Sequence, residues 1–147
     1  MQTTPRPIEH INSSVSVDAI CVDPAQVETF WPFVESFLQR AVDRTDLCHF
    51  EAVKQATLQG IGLLWIAWGQ KLYGAATTEL MVTQRSKACI ITAAGGEDMK
   101  VCLPLLAKIE TYAKNEGCDV VRIFGREGWQ RMLPEYKRQA IVLERHL

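Results

Sequence analysis

The sequence predicts a three-layer domain of the α/β (α+β) class, and three observations carry that reading. An apolar stripe at helical spacing follows residue 23. Three apolar segments of strand character then lie between residues 63 and 92. A second helical stripe leads into Val120-Val121-x-Ile123, the signature of a buried strand. The expected order of elements is β-α-α-β-β-β-α-β-α-β.

The length of 147 residues suits one domain. Residues 1–14, with Pro5, Pro7, Asn12, Ser13 and Ser14, read as a flexible arm, and 15–147 as the domain. Residues 15–22 alternate loosely and form the first strand. Asp23 then serves as N-cap with Pro24 at the first helical position. Val27, Phe30, Trp31, Val34, Phe37, Leu38 and Ala41 recur at three- and four-residue steps, an amphipathic helix in which Pro32 predicts a kink near Trp31. A second helix is expected over 46–58, closed by Gly60.

The period then changes. Leu63-Leu64-Trp65-Ile66-Ala67-Trp68 is apolar on both alternations, as in a strand covered on both faces. Gly69-Gln70-Lys71 turns the chain into a strand over 72–82, and Gln84-Arg85-Ser86 into a third over 87–92. Such short connections require antiparallel pairing. Ala93-Ala94-Gly95-Gly96-Glu97-Asp98 reads as a loop. The helix after it begins near Lys100, buries Cys102, Leu105, Leu106, Ile109, Tyr112 and Ala113, and ends with Gly117 as its left-handed cap. A buried strand over 118–124, a loop with a short helix over 125–133 and a last strand over 139–143 complete the chain. The β-α-β crossover is expected to be right-handed.

Composition excludes several classes. Apolar residues at 48% and charged residues at 22% are those of a folded globule, not a disordered chain. Sixteen basic against 17 acidic side chains give a net charge of −1, without the basic footprint of a nucleic-acid binder. No apolar run reaches membrane-span length and Met1-Gln2-Thr3-Thr4-Pro5 carries no signal-like apolar stretch, so a cytoplasmic address is expected. The five cysteines are scattered without ligand spacing; they read as reduced, packed thiols, and no metal site is expected.

Two segments are candidates for chemistry. The strand–Ala-Ala-Gly-Gly–helix junction offers backbone amides to an anion, but Glu97 and Asp98 stand where it would approach, and a plain turn explains the glycines equally. From Arg122 to His146 six Lys/Arg oppose three Glu. There Arg126 and Arg131 flank Trp129, either as a docking patch of guanidinium forks and a stacking face or with Trp129 and Leu133 pinning a short helix to the sheet. For acid–base work, Glu79 within the meander is a weak candidate, because a carboxylate there can face a cleft. His49 reads as a surface side chain and the tyrosines as packing; the Trp65/Trp68 pair reads as core.

The order of elements, with Phe30-Trp31-Pro32, Gly62-Leu63-Leu64-Trp65, Ile109-Glu110, Tyr112-Ala113, Gly117-Cys118 and Gly125-Arg126-x-Gly128-Trp129-x-Arg131, resembles the GNAT acyl-CoA N-acetyltransferase superfamily. It is most similar to short GNAT-like proteins of phages and prophages, over about residues 15–147. The resemblance implies a mixed sheet whose fourth and fifth strands splay around acetyl-CoA or another acyl-CoA, placing cofactor binding at Thr92, Ala94, Gly95 and Gly96. It further implies an amine of a small molecule or a protein as acceptor, with Glu79 or a water as base. The chain departs from the family's Gln/Arg-x-x-Gly-x-Gly/Ala loop, because Ala93 to Lys100 keeps the glycines and loses the basic residue. Arg131 occupies the place of the family's tyrosine general acid, and a guanidinium cannot protonate a leaving thiolate near neutrality. The rival expectation is a non-catalytic interaction or phage-particle protein that kept the scaffold and uses Arg126, Trp129 and Arg131 to dock a protein partner.

Overall fold

The computed structural model describes residues 16–125 and 127–147; the expected arm and Arg126 lie outside them. Its elements are β1 (Asp18–Cys21), a single 3-10 turn (Pro24–Gln26), α1 (Val27–Thr45), α2 (Phe50–Leu58), β2 (Leu63–Trp68), β3 (Leu72–Val82), β4 (Lys87–Gly96), α3 (Met99–Asn115), β5 (Val120–Ile123) and α4 (Glu127–Met132). The strands form one sheet in the order β1-β2-β3-β4-β5. The meander is antiparallel, and β5 joins β4 in parallel after the α3 crossover.

Two helical layers sandwich the sheet. On one face α1 lays Val27, Trp31, Val34, Leu38 and Val42 on Leu64, Ile66, Ala75 and Ala93, with Val53 of α2 behind them. On the other, α3 sets Cys102, Leu105, Ile109 and Ala113 against Trp65, Ala67, Ala76, Cys89 and Ile91. Burying apolar surface on both faces is the main stabilising term, and it is why β2 has no polar alternation. The buried Trp65 indole donates to Thr78 Oγ1 at 2.9 Å, and its ring meets Tyr112 edge-on at 5.3 Å.

Most local signals act as expected. Asp23 accepts from the Ala25 amide at 3.0 Å, capping the 3-10 turn that leads into α1. Gly60 and Gly117 close their helices at φ +82° and +79°. Pro32 and Pro104 stand exposed in the second turns of α1 and α3, where each costs one hydrogen bond at the solvent face. Six expectations are corrected. The first strand is limited to Asp18–Cys21 and the β5 strand to Val120–Ile123. The second helix starts at Phe50, because Asp46 turns left-handed (φ 52°) and His49 accepts from the Glu51 amide as N-cap. Trp68 is 45% exposed and leaves the core to Trp65. Residues 93–96 are not a loop but the last turns of β4's ladder against β3. Residues 139–143 form no strand and are exposed, because no described strand lies beside them to take their backbone groups.

Candidate functional site

The site is made by a parting of strands. β4 and β5 pair only from Ala88↔Val120 to Ile91↔Ile123. Beyond that level β4 continues to Gly96 along β3 alone, while β5 ends and the chain leaves through Phe124 and Gly125. At the parting β4 carries a bulge: Thr77 opposes Ala93 and Thr78 opposes Ile91, so Thr92 has no opposite residue. Its hydroxyl is held by Thr77, 2.6 Å from Thr77 Oγ1 and 3.1 Å from the Thr77 carbonyl it donates to. The extra residue also shifts the alternation. Cys89 and Ile91 face α3 before the bulge, and Ala94 and Gly96 face it afterwards, so sequence periodicity stops at Thr92 although the strand does not.

Beside the parting, on the α3 side, lies a cavity of about 40 Å³ lined by apolar side chains, among them Ile91, Ala94, Cys102, Leu106, Ile123 and Trp129. Trp129 packs on Gly125, where a Cβ would come within 2.5 Å of the indole Cδ1. Thus Trp129 turns inward and forms one wall, while Arg131 is exposed on the last turn of α4. The expected docking surface of Arg126, Trp129 and Arg131 is therefore split between a cavity wall, a solvent-facing arginine and a residue outside those described.

At the mouth, Asp98 caps α3 by accepting from the Lys100 amide at 3.0 Å. The Glu97 amide donates to the Tyr73 carbonyl at 3.0 Å, and its carboxylate pairs with Lys71 at 2.7 Å. Lys71 comes from the β2–β3 turn, so the fold returns a cation to the end of β4 where the local sequence lost one. The hydrogen bond to the Glu97 carboxylate, followed by that carboxylate's charge, raises the Lys71 ammonium above its ordinary value. No signal near Gly95 in the chain could have indicated Lys71; only the strand register brings it there.

The glycines have packing reasons. A Cβ on Gly95 would run into the Phe37 carbonyl oxygen of α1, and one on Gly96 would sit 2.6 Å from the Tyr73 carbonyl oxygen and 3.0 Å from Cys102 Sγ. They permit close approach of a helix and a strand. Burial, followed by Asp98 and Glu97, pushes the Cys102 thiol up to about 11, which leaves it un-ionised near neutral pH. Glu79 is half-buried on the α1 side of the sheet, opposite Ile90 and one alternation beyond Thr77; its Cγ lies 3.3 Å from where a Gly62 Cβ would stand. It shares a face with Thr92 rather than with the cavity. Tyr136 is no free acid either: its hydroxyl donates to Glu110 Oε2 at 2.6 Å, and burial followed by that carboxylate raises its pKa far above the ordinary value. A second, wider depression of about 350 Å³ lies between α1 and α2, with Asp43, Asp46, Cys48, His49 and Glu51 on its walls.

No protein-family model and no curated protein sequence matches the chain. Solved structures do. A predicted acetyltransferase from Clostridium acetobutylicum, solved with acetyl-CoA, superposes with a TM-score of 0.61 at 10% identity over 90% of this chain and 96% of its own. An aminoglycoside acetyltransferase from an uncultured soil metagenomic sample, in complex with sisomicin, gives 0.62 at 11% over 89% and 96%. A transcriptional regulator from Bacillus halodurans C-125 gives 0.63 at 14% over 90% and 100%. The fold is therefore GNAT-like, a mixed five-stranded sheet with four helices among the described residues. Among those residues no helix is long and apolar enough to cross a membrane.

Proposed function

We propose that the chain is an acyl-CoA-dependent N-acyltransferase whose acyl-CoA enters between β4 and β5. The observation that carries this reading is the parting of the two parallel strands at the Thr92 bulge beside an apolar cavity, in a fold whose solved neighbour holds acetyl-CoA. The apolar wall suits an acyl–pantetheine arm, but ligand pockets commonly enclose roughly 300–1,000 Å³, so Trp129 has to swing out for the arm to enter. Ala94 and Gly95 form the β4 side of the passage. Thr92 holds the bulged backbone open toward the thioester, and Gly96 leads to the diphosphate position at the start of α3. There the backbone amides, Lys71 and Lys100 supply positive charge, while Glu97 and Asp98 oppose it.

The bound thioester supplies the acyl group. An amine attacking the thioester carbonyl from the α1 side forms the C–N bond and loses its proton to Glu79 or to water, and backbone amides at the bulge stabilise the oxyanion. As the oxyanion collapses, the C–S bond breaks and CoA leaves as a thiolate that takes a proton from water. The acidic depression between α1 and α2 gives a cationic amine an attractive approach on that side of the sheet.

Calorimetric titration with acetyl-CoA and with CoA tests the reading. Binding near unit stoichiometry is expected, strengthened by Trp129→Ala, which opens the passage, and by Glu97→Gln, which releases Lys71. Absence of heat and of thermal shift at millimolar ligand, for the wild type and both variants, would refute it. In that case the rival reading, a binding protein on a retained scaffold, gains the support of Asp98's occupation of the helix start.

A further inference from the structure

On the acyltransferase reading the diphosphate of the donor would lie at the start of α3, and the chain fills that place with its own groups. Asp98 turns its carboxylate back onto the helix and accepts from the Lys100 amide at 3.0 Å, so a negative charge already sits at the positive end of the α3 dipole. The Glu97 amide is taken by the Tyr73 carbonyl at 3.0 Å. Lys71 is bridged to the Glu97 carboxylate at 2.7 Å, with its ammonium 5.5 Å from the centre of the Tyr73 ring. Lys71 and Lys100 are thereby matched by Glu97 and Asp98, and these four side chains offer no net charge to a polyanion. Gly95 and Gly96 add no room, because the Phe37 and Tyr73 carbonyl oxygens occupy the space beside them.

The passage between β4 and β5 has the opposite character. The Glu97–Tyr73 bond sets the phase of the β3–β4 ladder: Glu97 and Gly95 direct their backbone groups to β3, and Gly96 and Ala94 direct theirs away from it. The pairing of β4 with β5 has ended at that level, so the backbone groups of Ala94 and Gly96 face the gap. An extended chain bearing amides takes such groups as an added strand does, and pantetheine is a chain of that kind. Next to them the wall is apolar, with Ile91, Leu106, Ile123 and Trp129. We propose that this chain recognises its donor by the acyl-pantetheine arm and not by the nucleotide. Its substrate class is then acyl-pantetheine thioesters, and the adenosine diphosphate part of CoA adds little affinity. This rests on the acyltransferase reading and narrows its donor.

Calorimetric titration of the full-length protein with acetyl-CoA, S-acetylpantetheine and ADP tests it. S-acetylpantetheine is expected to bind at least about one-fifth as tightly as acetyl-CoA, and ADP to give no heat at millimolar concentration. Glu97→Gln with Asp98→Asn removes both opposing charges while asparagine still caps the helix. This double variant should tighten acetyl-CoA about five- to tenfold, by freeing Lys71 and the helix dipole, and leave S-acetylpantetheine unchanged. A larger wild-type preference for acetyl-CoA, or heat from ADP alone, overturns the proposal while the acyltransferase reading stands. A double variant that gains no acetyl-CoA affinity relative to S-acetylpantetheine overturns it too, since the two carboxylates would then not be what turns the diphosphate away. If neither thioester binds the wild type, the proposal falls. The acyltransferase reading falls with it when Trp129→Ala and Glu97→Gln bind neither as well.

Discussion

Replacing Gly95 by alanine should damage the fold itself, whatever the protein binds. A Cβ there meets the Phe37 carbonyl oxygen directly and stands 3.1 Å from its carbon. Both are backbone atoms of α1, and that helix is fixed by Val34 and Leu38 at 0% exposure and Val42 at 5%. The obstacle cannot rotate away as a side chain tip could, so the helix must lift from β4 across its contact with the sheet. Inserting one carbon into a packed site costs about 1–3 kcal/mol, and a backbone obstacle places Gly95→Ala near the upper end. For a chain of this size each kcal/mol moves the melting temperature by roughly 2–4 °C, so a fall of about 6–12 °C is expected. Gly128→Ala is the control, since nothing lies within 4 Å of its Cβ position on exposed helix α4. It should gain about 0.5–1 kcal/mol from backbone entropy. Thermal melts followed by circular dichroism, without ligand, measure both. If Gly95→Ala melts with the wild type, the glycine is not there for the α1–β4 contact, and an anion-binding reason for it regains force. The same contact makes Gly95→Asp an unsuitable probe of CoA binding, because lost affinity would report lost packing.

Other expectations concern the core and the thiols. Thr78→Val leaves the buried Trp65 indole N–H without its 2.9 Å acceptor and should cost about 1–3 kcal/mol in denaturant titration, with Thr78→Ser close to wild type. Leu38→Ala empties a fully buried site between α1 and the sheet; a loss of about 2–5 kcal/mol is expected by the same titration, and a loss under about 1 would mean α1 does not pack there. A thiol reagent at pH 8 should reach the exposed Cys21 and Cys48 in the native protein, slowed because burial raises both thiols, and should reach Cys89 and Cys102 only on unfolding. Burial holds Cys89 and Cys102 at about 11 against an ordinary 9.0. Their contribution to stability is therefore complete below pH 9 and is lost as pH rises toward 11, because the unfolded thiols ionise first. Replacing both by alanine should flatten that part of the stability–pH curve, and an unchanged slope would assign the loss to other groups.

What the sequence determined alone is what depends on neighbours in the chain. Asp23, Gly60, Gly117 and the two apolar stripes act through local dihedrals and helical period, and they placed α1, α3 and the β2–β3–β4 meander within a few residues. The unbroken apolar run of β2 implied cover on both faces, because no alternation was left for water. What only the tertiary structure decided are contacts between distant parts. The Thr92 bulge inverts the alternation of β4, so a period-two reading stops where the strand goes on. Gly95 and Gly96 resembled a phosphate-binding turn until Phe37 and Tyr73, from other elements, were seen filling the space beside them. Lys71 reaches Glu97 through strand register. Trp129 faces inward because Gly125, with no Cβ, leaves room for its ring against the chain. Residues 139–143 hold every local mark of a strand and yet form none, since a strand exists only when a second backbone takes its hydrogen bonds, and among the described residues none does.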